Sequence, residues 1–431
     1  VKHYTASEWE RISVPGGMSD VDAKALLSEA SRSPLSDRYG CGVLDAVQNG
    51  VRTGNVVGVI QSDIASLEIL PKMNTSTGEV RRRIVDMLRI ALDLETDLHG
   101  PSHLSTSSGS FLEQLIGAYL QTVSAALKKG LPRRYIRHRG DLPVMRGSLV
   151  VARQFSTLTS RPGKLACQFS ELSPDQPLNQ VVAAALRVIN KVSRLASNKR
   201  LSANLLTHYD AVTILSRPEI LPLTDDDAIV LDRLNDHWHA ALAFSQLILR
   251  NRSLTTTRGV SQGYSLLFVM HQLFENYLAK LFAQSLEPLG WGVTTQVGSK
   301  YCARSLSGFG DLVQSRPDLK LTAPCGRDII LDTKWKDPAG KGVSSSDVYQ
   351  MMAYADLHDS DPVVLLYPSL PVVSPNHIMR VSDRYRLNTQ CSADLLLVHV
   401  DISRSNSDLI QAIRDLAPRW LAQPTKDFFL P

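Results

Sequence analysis

The sequence predicts an α/β protein, with a mixed sheet flanked by helices in its last part and further domains before it. Three observations carry that expectation. Residues 251–431 alternate periods in the order helix, three strands, helix, strand, the order of helices packed on a mixed sheet. Two short apolar strand patterns near residues 56 and 66 give way at Gly78 to a helical period, which marks a separate α+β region. A chain of 431 residues also exceeds one ordinary domain, so two or three are expected.

The elements follow in order. A helix is expected over 20–31, then strands over 56–60 and 66–70, the second stopped by Pro71, which cannot continue a ladder. Val80, Ile84, Met87, Leu88 and Ala91 share one helical face. The Gly-, Pro- and Ser-rich stretch 100–110 reads as a loop, and a helix over 111–129 ends at Gly130, a good capping residue. A strand is expected at 148–151, and helices at 178–197 and 225–250, with a domain boundary near 250–258. Beyond it come a helix over 261–286, strands at 292–304, 317–321 and 328–333, a helix at 344–357, strands at 362–367 and 393–400, and a helix at 405–416.

Composition narrows the class without naming it. Hydrophobic residues make up 43% and charged residues 21%, as in globular protein, and the net charge of +5 permits nucleic-acid binding without demanding it. The five cysteines are scattered and odd in number, with no CxxC pair, which argues against a disulfide framework or zinc site and for a reducing cytoplasm. No apolar run approaches the roughly 18–20 residues needed to span a bilayer. A soluble cytoplasmic protein is expected.

The chemistry concentrates in Arg316-Pro317-Asp318-Leu319 and, after a turn at 324–327, Ile329-Ile330-Leu331-Asp332-Thr333-Lys334. Residues two apart on a strand face the same way, so Asp332 and Lys334 project together. Asp318 ends up opposite or beside Asp332 across a tight turn. Phosphodiester hydrolysis needs a cation to offset developing charge and to acidify a water. Aspartate oxygens suit Mg²⁺, which takes few protein ligands. A neighbouring lysine can position the water and stabilise charge. Glu275 sits among apolar positions of the preceding helix, where a carboxylate needs a partner or a metal. Gln350 and Tyr354 lie one helical turn apart directly after the Asp-Thr-Lys strand.

The ordered set Glu275, Pro317-Asp318, Asp332-Thr333-Lys334 and Gln350…Tyr354 resembles the PD-(D/E)XK nucleases. The wording LDTKWK, with a YQ-x-x-AY helix after it, is similar to the McrC branch of that superfamily. VVGVI, LEILPK and MLRIAL resemble the amino-terminal region of McrC proteins. Gly130-Leu131, Tyr135, Met145-Arg146-Gly147, Leu165-Ala166-Cys167-Gln168-Phe169 and Pro177-Leu178-Asn179 resemble their middle region. Together these cover roughly residues 50–370.

The resemblance implies a nuclease subunit of a McrBC-type restriction system. It implies a carboxy-terminal PD-(D/E)XK domain at 251–431, a helical connector at 166–250, and an α+β adaptor at 1–165 that binds the motor partner. Asp318 and Asp332 would hold Mg²⁺ or Mn²⁺, with Glu275 as a further ligand or ligand positioner. Lys334 would orient the attacking water, and Gln350 would support that water or the phosphate. The partner implied is a McrB-like AAA+ ring that hydrolyses GTP; the substrate is double-stranded DNA, modified or foreign. The chain lacks a P-loop of its own, since Gly292…Gly298-Ser299-Lys300 has the wrong spacing and order. Two rivals are a non-nucleolytic activator of such a motor and a stand-alone repair nuclease.

Two further features have plainer readings. Residues 128–146 hold seven Lys or Arg and one acid, Asp141, so they suit a phosphate or acidic surface, or simply solvent. His237 and His239 lie two apart in a helical pattern, where they diverge and make a poor metal pair.

Overall fold

The computed structural model describes residues 1–33, 35, 42–72, 77–92, 111–161, 163–225, 228–250, 264–296, 298, 300–306, 310, 312–336, 343–369, 378–388 and 390–421. The chain forms two compact units, one of Val1–Ser31, Leu35–Ala91 and Leu267–Pro431, the other of Arg32–Pro34 and Leu92–Leu266. This partition differs from the three consecutive segments expected at 1–165, 166–250 and 251–431. Residues 1–31 and 35–91 fall in one unit with the carboxy-terminal sheet, and the remainder of the expected adaptor falls in the other with the helices that follow it. Local periodicity reveals which segments are strands but not which distant strand each one joins.

The first unit shows that long-range pairing. Lys2–Ser7 runs parallel to Ala65–Leu70, which pairs antiparallel with Val56–Gln61. Tyr264–Val269 completes this four-stranded sheet beside Val56–Gln61. Leu26 from the helix Asp20–Ala30 packs with Ile60, Leu67, Ile69, Leu267 and Val269, so residues far apart in sequence share one apolar core. Ser19 caps that helix by accepting from the Asp22 N–H, a donor the helix cannot satisfy internally.

The six-stranded sheet positions the chemistry. Its order is Gly292–Thr295, Leu319–Thr322, Asp328–Thr333, Val363–Ser369, Asp394–Asp401, Met379–Arg386. The three central strands are mutually parallel, and the outer pairings are antiparallel. The mixed sheet flanked by helices is therefore observed. Ile330 and Leu365 pack with Met351 and Ala355 of the helix Ser345–His358, whose N-terminus Ser344 caps. The helix Met270–Leu286 packs against Thr77–Ala91 and Asn406–Trp420. Buried Arg83 ties the three together, donating to Tyr277 Oη and to Asn406 Oδ1 at 3.0 Å, with its guanidinium over the Tyr277 ring.

The second unit packs Phe111–Lys129, Pro177–Val192, Ala196–Leu206 and His239–Arg250. Within it Tyr119 Oη and Ser245 Oγ share a buried hydrogen bond of 2.7 Å. A three-stranded sheet orders Arg134–Leu142, Leu165–Ser173 and Ser148–Leu149.

Several expected elements change. The helix expected over 261–286 opens as a strand, because Tyr264–Val269 is a short apolar run whose period fits either state and whose partner is a distant strand. The helix expected over 225–250 is regular only from His239. Before it, Asp232 Oδ1 accepts from the Leu234 and Asn235 N–H groups, a local bond that competes with helix. Val151 begins the short helix Val151–Ser156 rather than ending a strand. The helix over 178–197 breaks at Ser193, and part of the basic run 128–146 is the strand Arg134–Leu142. The loop expected at 100–110 and the boundary expected near 250–258 lie largely outside the described residues. No helix among the described residues is long and apolar enough to cross a membrane.

Candidate active site

Asp332 is the buried centre of the site, its side chain only 2% exposed. The register that pairs Leu319 with Leu331 brings Asp318, one step further, opposite Asp332. Two carboxylates thus meet at the ends of neighbouring strands, as the tight turn between them requires. Asp318 Oδ2 accepts from the Thr333 N–H and from Thr333 Oγ1, both at 2.7 Å, which orients the carboxylate across the strand ends. Lys334 projects on the same side as Asp332, and its Nζ lies 2.6 Å from Asp332 Oδ2. That contact pairs the charges without hydrogen-bond geometry, so buried Asp332 Oδ2 keeps an open valence.

Gln350 organises the other side. Its Oε1 accepts from Lys334 Nζ at 3.0 Å. Its Nε2 donates to Asp332 Oδ1 at 3.1 Å and to Tyr354 Oη at 2.8 Å. Tyr354 in turn donates to the Arg316 carbonyl at 3.1 Å. One amide therefore bridges both members of the Asp-Thr-Lys pair, and the helical spacing of Gln350 and Tyr354 makes the bridge possible.

Glu275 reaches the group from the helix Met270–Leu286. Its carboxyl is pushed up to about 7, first by burial and next by the negative charge of Asp318, against a hydrogen bond from Gln296. That bond runs from Gln296 Nε2 to Glu275 Oε1 at 3.3 Å. The Asp332 carboxyl is likewise raised, first by burial and then by Asp318, with Lys334 opposing. Burial disfavours the Lys334 charge, yet Asp332, Asp347 and Asp318 outweigh it and raise its pKa. His271, one turn before Glu275, is lowered by burial, with Asp318 opposing. These mutual fields place Glu275, Asp318, Asp332 and Lys334 in one electrostatic neighbourhood, to which Gln350 is joined by its hydrogen bonds.

Sequence reasoning missed Thr333, His271 and Gln296 as members of this neighbourhood. His271 was legible, since it stands four before Glu275 on the same helix. Gln296 was not, because only sheet packing brings its strand end to the helix. Among the described residues no three His, Cys, Asp or Glu side chains are gathered as a metal cluster. The donor set instead comprises two aspartates with an acid beyond them. It remains suitable for Mg²⁺, a hard cation that takes one or two carboxylates and keeps its waters. The open valence of Asp332 Oδ2 and the repulsion between acids are what such a cation would relieve.

A family model described as the McrBC 5-methylcytosine restriction system component matches residues 51–368. The chain belongs to this McrBC family. No curated protein matches it. Two solved structures from Thermococcus gammatolerans are similar. A chain from an assembly of McrB AAA+ hexamers with bound McrC is 17% identical with a TM-score of 0.66, covering 96% of this chain and 100% of that one. A chain from a McrBC complex is 20% identical with a TM-score of 0.53, covering 66% of this chain and 88% of that one. At such identities the likeness speaks for the fold.

Proposed function

We propose that this McrBC-family chain is a Mg²⁺-dependent DNA endonuclease subunit with a PD-(D/E)XK site. In this reading Asp318 and Asp332 hold the cation, and Glu275 assists from the helix. The bound cation would lower the pKa of a water and offset charge on the phosphate. Lys334 orients that water and donates to developing negative charge. Gln350 keeps the ammonium and the Asp332 carboxylate in register by bonding both. The observation that carries the proposal is the convergence of Asp332, Lys334 and Gln350 within hydrogen-bonding or ion-pairing reach, with Asp318 opposite Asp332 on the neighbouring strand and Glu275 in their field.

A McrB-like AAA+ ring is the proposed partner, and double-stranded DNA the substrate. The assembly of McrB hexamers with bound McrC, to which this fold is similar, supports the first point.

The test is cleavage of plasmid DNA by the chain with its ring partner, alongside nucleotide hydrolysis on the same preparations. Cleavage should require Mg²⁺ or Mn²⁺, stop with EDTA, and be lost in Asp332→Ala while partner-stimulated hydrolysis persists. Undiminished cutting in EDTA, or by Asp332→Ala, would place the active site elsewhere.

A further inference from the structure

Glu8 lies just past the strand Lys2–Ser7, where its N–H donates to the Leu70 carbonyl at 2.8 Å. Its side chain turns inward, and the residue is only 6% exposed. Oε1 accepts from Trp335 Nε1 at 2.9 Å, across 327 positions of sequence, and from the Lys72 N–H at 3.3 Å. Oε2 is buried and has no hydrogen-bond partner among the described residues. A buried carboxylate with one oxygen unsatisfied is a costly way to fill space. An apolar side chain would do that better, so the value of Glu8 lies in the bond it makes.

That bond ends on Trp335, the residue directly after Lys334. The Trp335 ring also meets Phe274 edge-on, with centroids 5.3 Å apart and planes at 64°. Phe274 is the residue directly before Glu275. Trp335 therefore neighbours both arms of the site, the strand end that carries the lysine and the helix turn that carries the glutamate. Among the described residues, Glu8 is the hydrogen-bond partner that fixes the indole N–H.

We propose that Glu8 is a positioning residue for the reaction. By accepting from the Trp335 indole it holds the backbone that presents Lys334 and, through the Phe274 contact, the turn that presents Glu275. The inference rests on the nuclease reading above. Displacements of about 1 Å in a reacting group can cost about 10²-fold in rate, so a loosened indole should be visible in turnover.

The experiment compares Glu8→Leu, Glu8→Gln, Trp335→Phe and Glu8→Leu/Trp335→Phe in the full chain with its ring partner, DNA and Mg²⁺. Glu8→Leu should lower kcat about tenfold or more, with KM for DNA near wild type. Glu8→Gln keeps an oxygen acceptor for the indole and should restore most of the rate. Trp335→Phe keeps the ring on Phe274 but loses the donor, and should match Glu8→Leu. The double variant should be no slower than either single one, because both remove one interaction. Full-speed Glu8→Leu, an equal loss in Glu8→Gln, a change confined to KM, or multiplying losses would each overturn the proposal. Should Glu8→Leu fail to fold, Glu8→Gln and Trp335→Phe still decide it. Asp332→Ala in the same assay separates the two readings. Cleavage there overturns the nuclease assignment, whereas a dead Asp332→Ala beside a full-speed Glu8→Leu overturns the positioning role alone.

Discussion

In the first unit Asp332 and Lys334 pair at 2.6 Å with side chains 2% and 23% exposed, whereas in the second the arginines of the strand Arg134–Leu142 stand in solvent. Arg134 and Arg137 are exposed, Arg139 meets the neutral Gln168, and Asp141, the single acid of the run, pairs with half-exposed Arg153 at 3.0 Å. Both regions are rich in charge, but burial separates what the charges do. Where water is excluded, each charge perturbs the next and one geometry is favoured, which is why Glu275 and Asp332 are pushed up together. Where water is present, charges are screened beyond about 10 Å and a single pair is worth about 0–1 kcal/mol. A reaction centre is expected in the first setting, and only a collective, salt-sensitive surface in the second.

The largest test of that contrast is deletion of residues 1–91. It removes Lys2–Ser7, Val56–Gln61, Ala65–Leu70 and Arg83 from the first unit, so cleavage and the cooperative unfolding of the carboxy-terminal part should both be lost. A truncated chain that cuts normally would show that the amino-terminal segment is a detachable adaptor after all.

Next comes Lys334→Ala, expected to slow cleavage by about 10²–10³, as for other electrostatic groups in reaction centres. Combination with Asp332→Ala should add little, because the groups act as one. Arg137→Ala, an equal change of charge on the exposed strand, should leave the chemical rate near wild type. Equal losses from both substitutions would break the comparison.

Arg83→Ala sharpens the role of burial within the first unit. It removes the donor to Tyr277 Oη and one of the two donors to Asn406 Oδ1, which keeps the Tyr277 hydroxyl, and should cost about 1–3 kcal/mol in denaturant unfolding. A smaller effect follows from Glu275, whose carboxyl ordinarily titrates at 4.5 but is held near about 7 in the fold. The folded state keeps this proton longer than the unfolded one. Its contribution to stability is therefore complete below 4.5 and is lost as pH rises toward about 7. Unfolding measured in chelator should show this decline, and Glu275→Gln should flatten it. A stability that rises with pH through the same window in wild type alone would contradict the burial argument.

The smallest expected change belongs to the second unit. Tyr119→Phe removes the bond to Ser245 and should cost about 1 kcal/mol with no change in cleavage. A loss of cutting there would mean that the two units are not divided as their chemistry suggests.

The site was more legible than the architecture. Asp318, Asp332 and Lys334 fall within seventeen consecutive residues of one hairpin, where strand alternation and a tight turn leave little freedom. Gln350 and Tyr354 follow on the next helix, at a spacing that any helix brings to one face. Glu275 stood out as a carboxylate among apolar positions. Strand alternation turns Thr333 away from Asp332 and Lys334, yet its backbone and hydroxyl both bond Asp318, a detail of strand-end geometry that alternation does not contain.

The sequence by itself determined the mixed sheet of the carboxy-terminal part, the helices at Thr77–Ala91 and Ser345–His358, and the gathering of Asp332, Lys334 and Gln350 at one candidate site. Each depends on neighbours within a few dozen positions, whose periodicity and turn chemistry are written locally. Only the tertiary structure decided that Tyr264–Val269 is a strand, that residues 1–91 belong with the carboxy-terminal sheet, and that Glu8 meets Trp335. A strand finds its edge, and a buried polar group its partner, by apolar burial and hydrogen-bond satisfaction between segments hundreds of residues apart. No local pattern records which of those segments will meet.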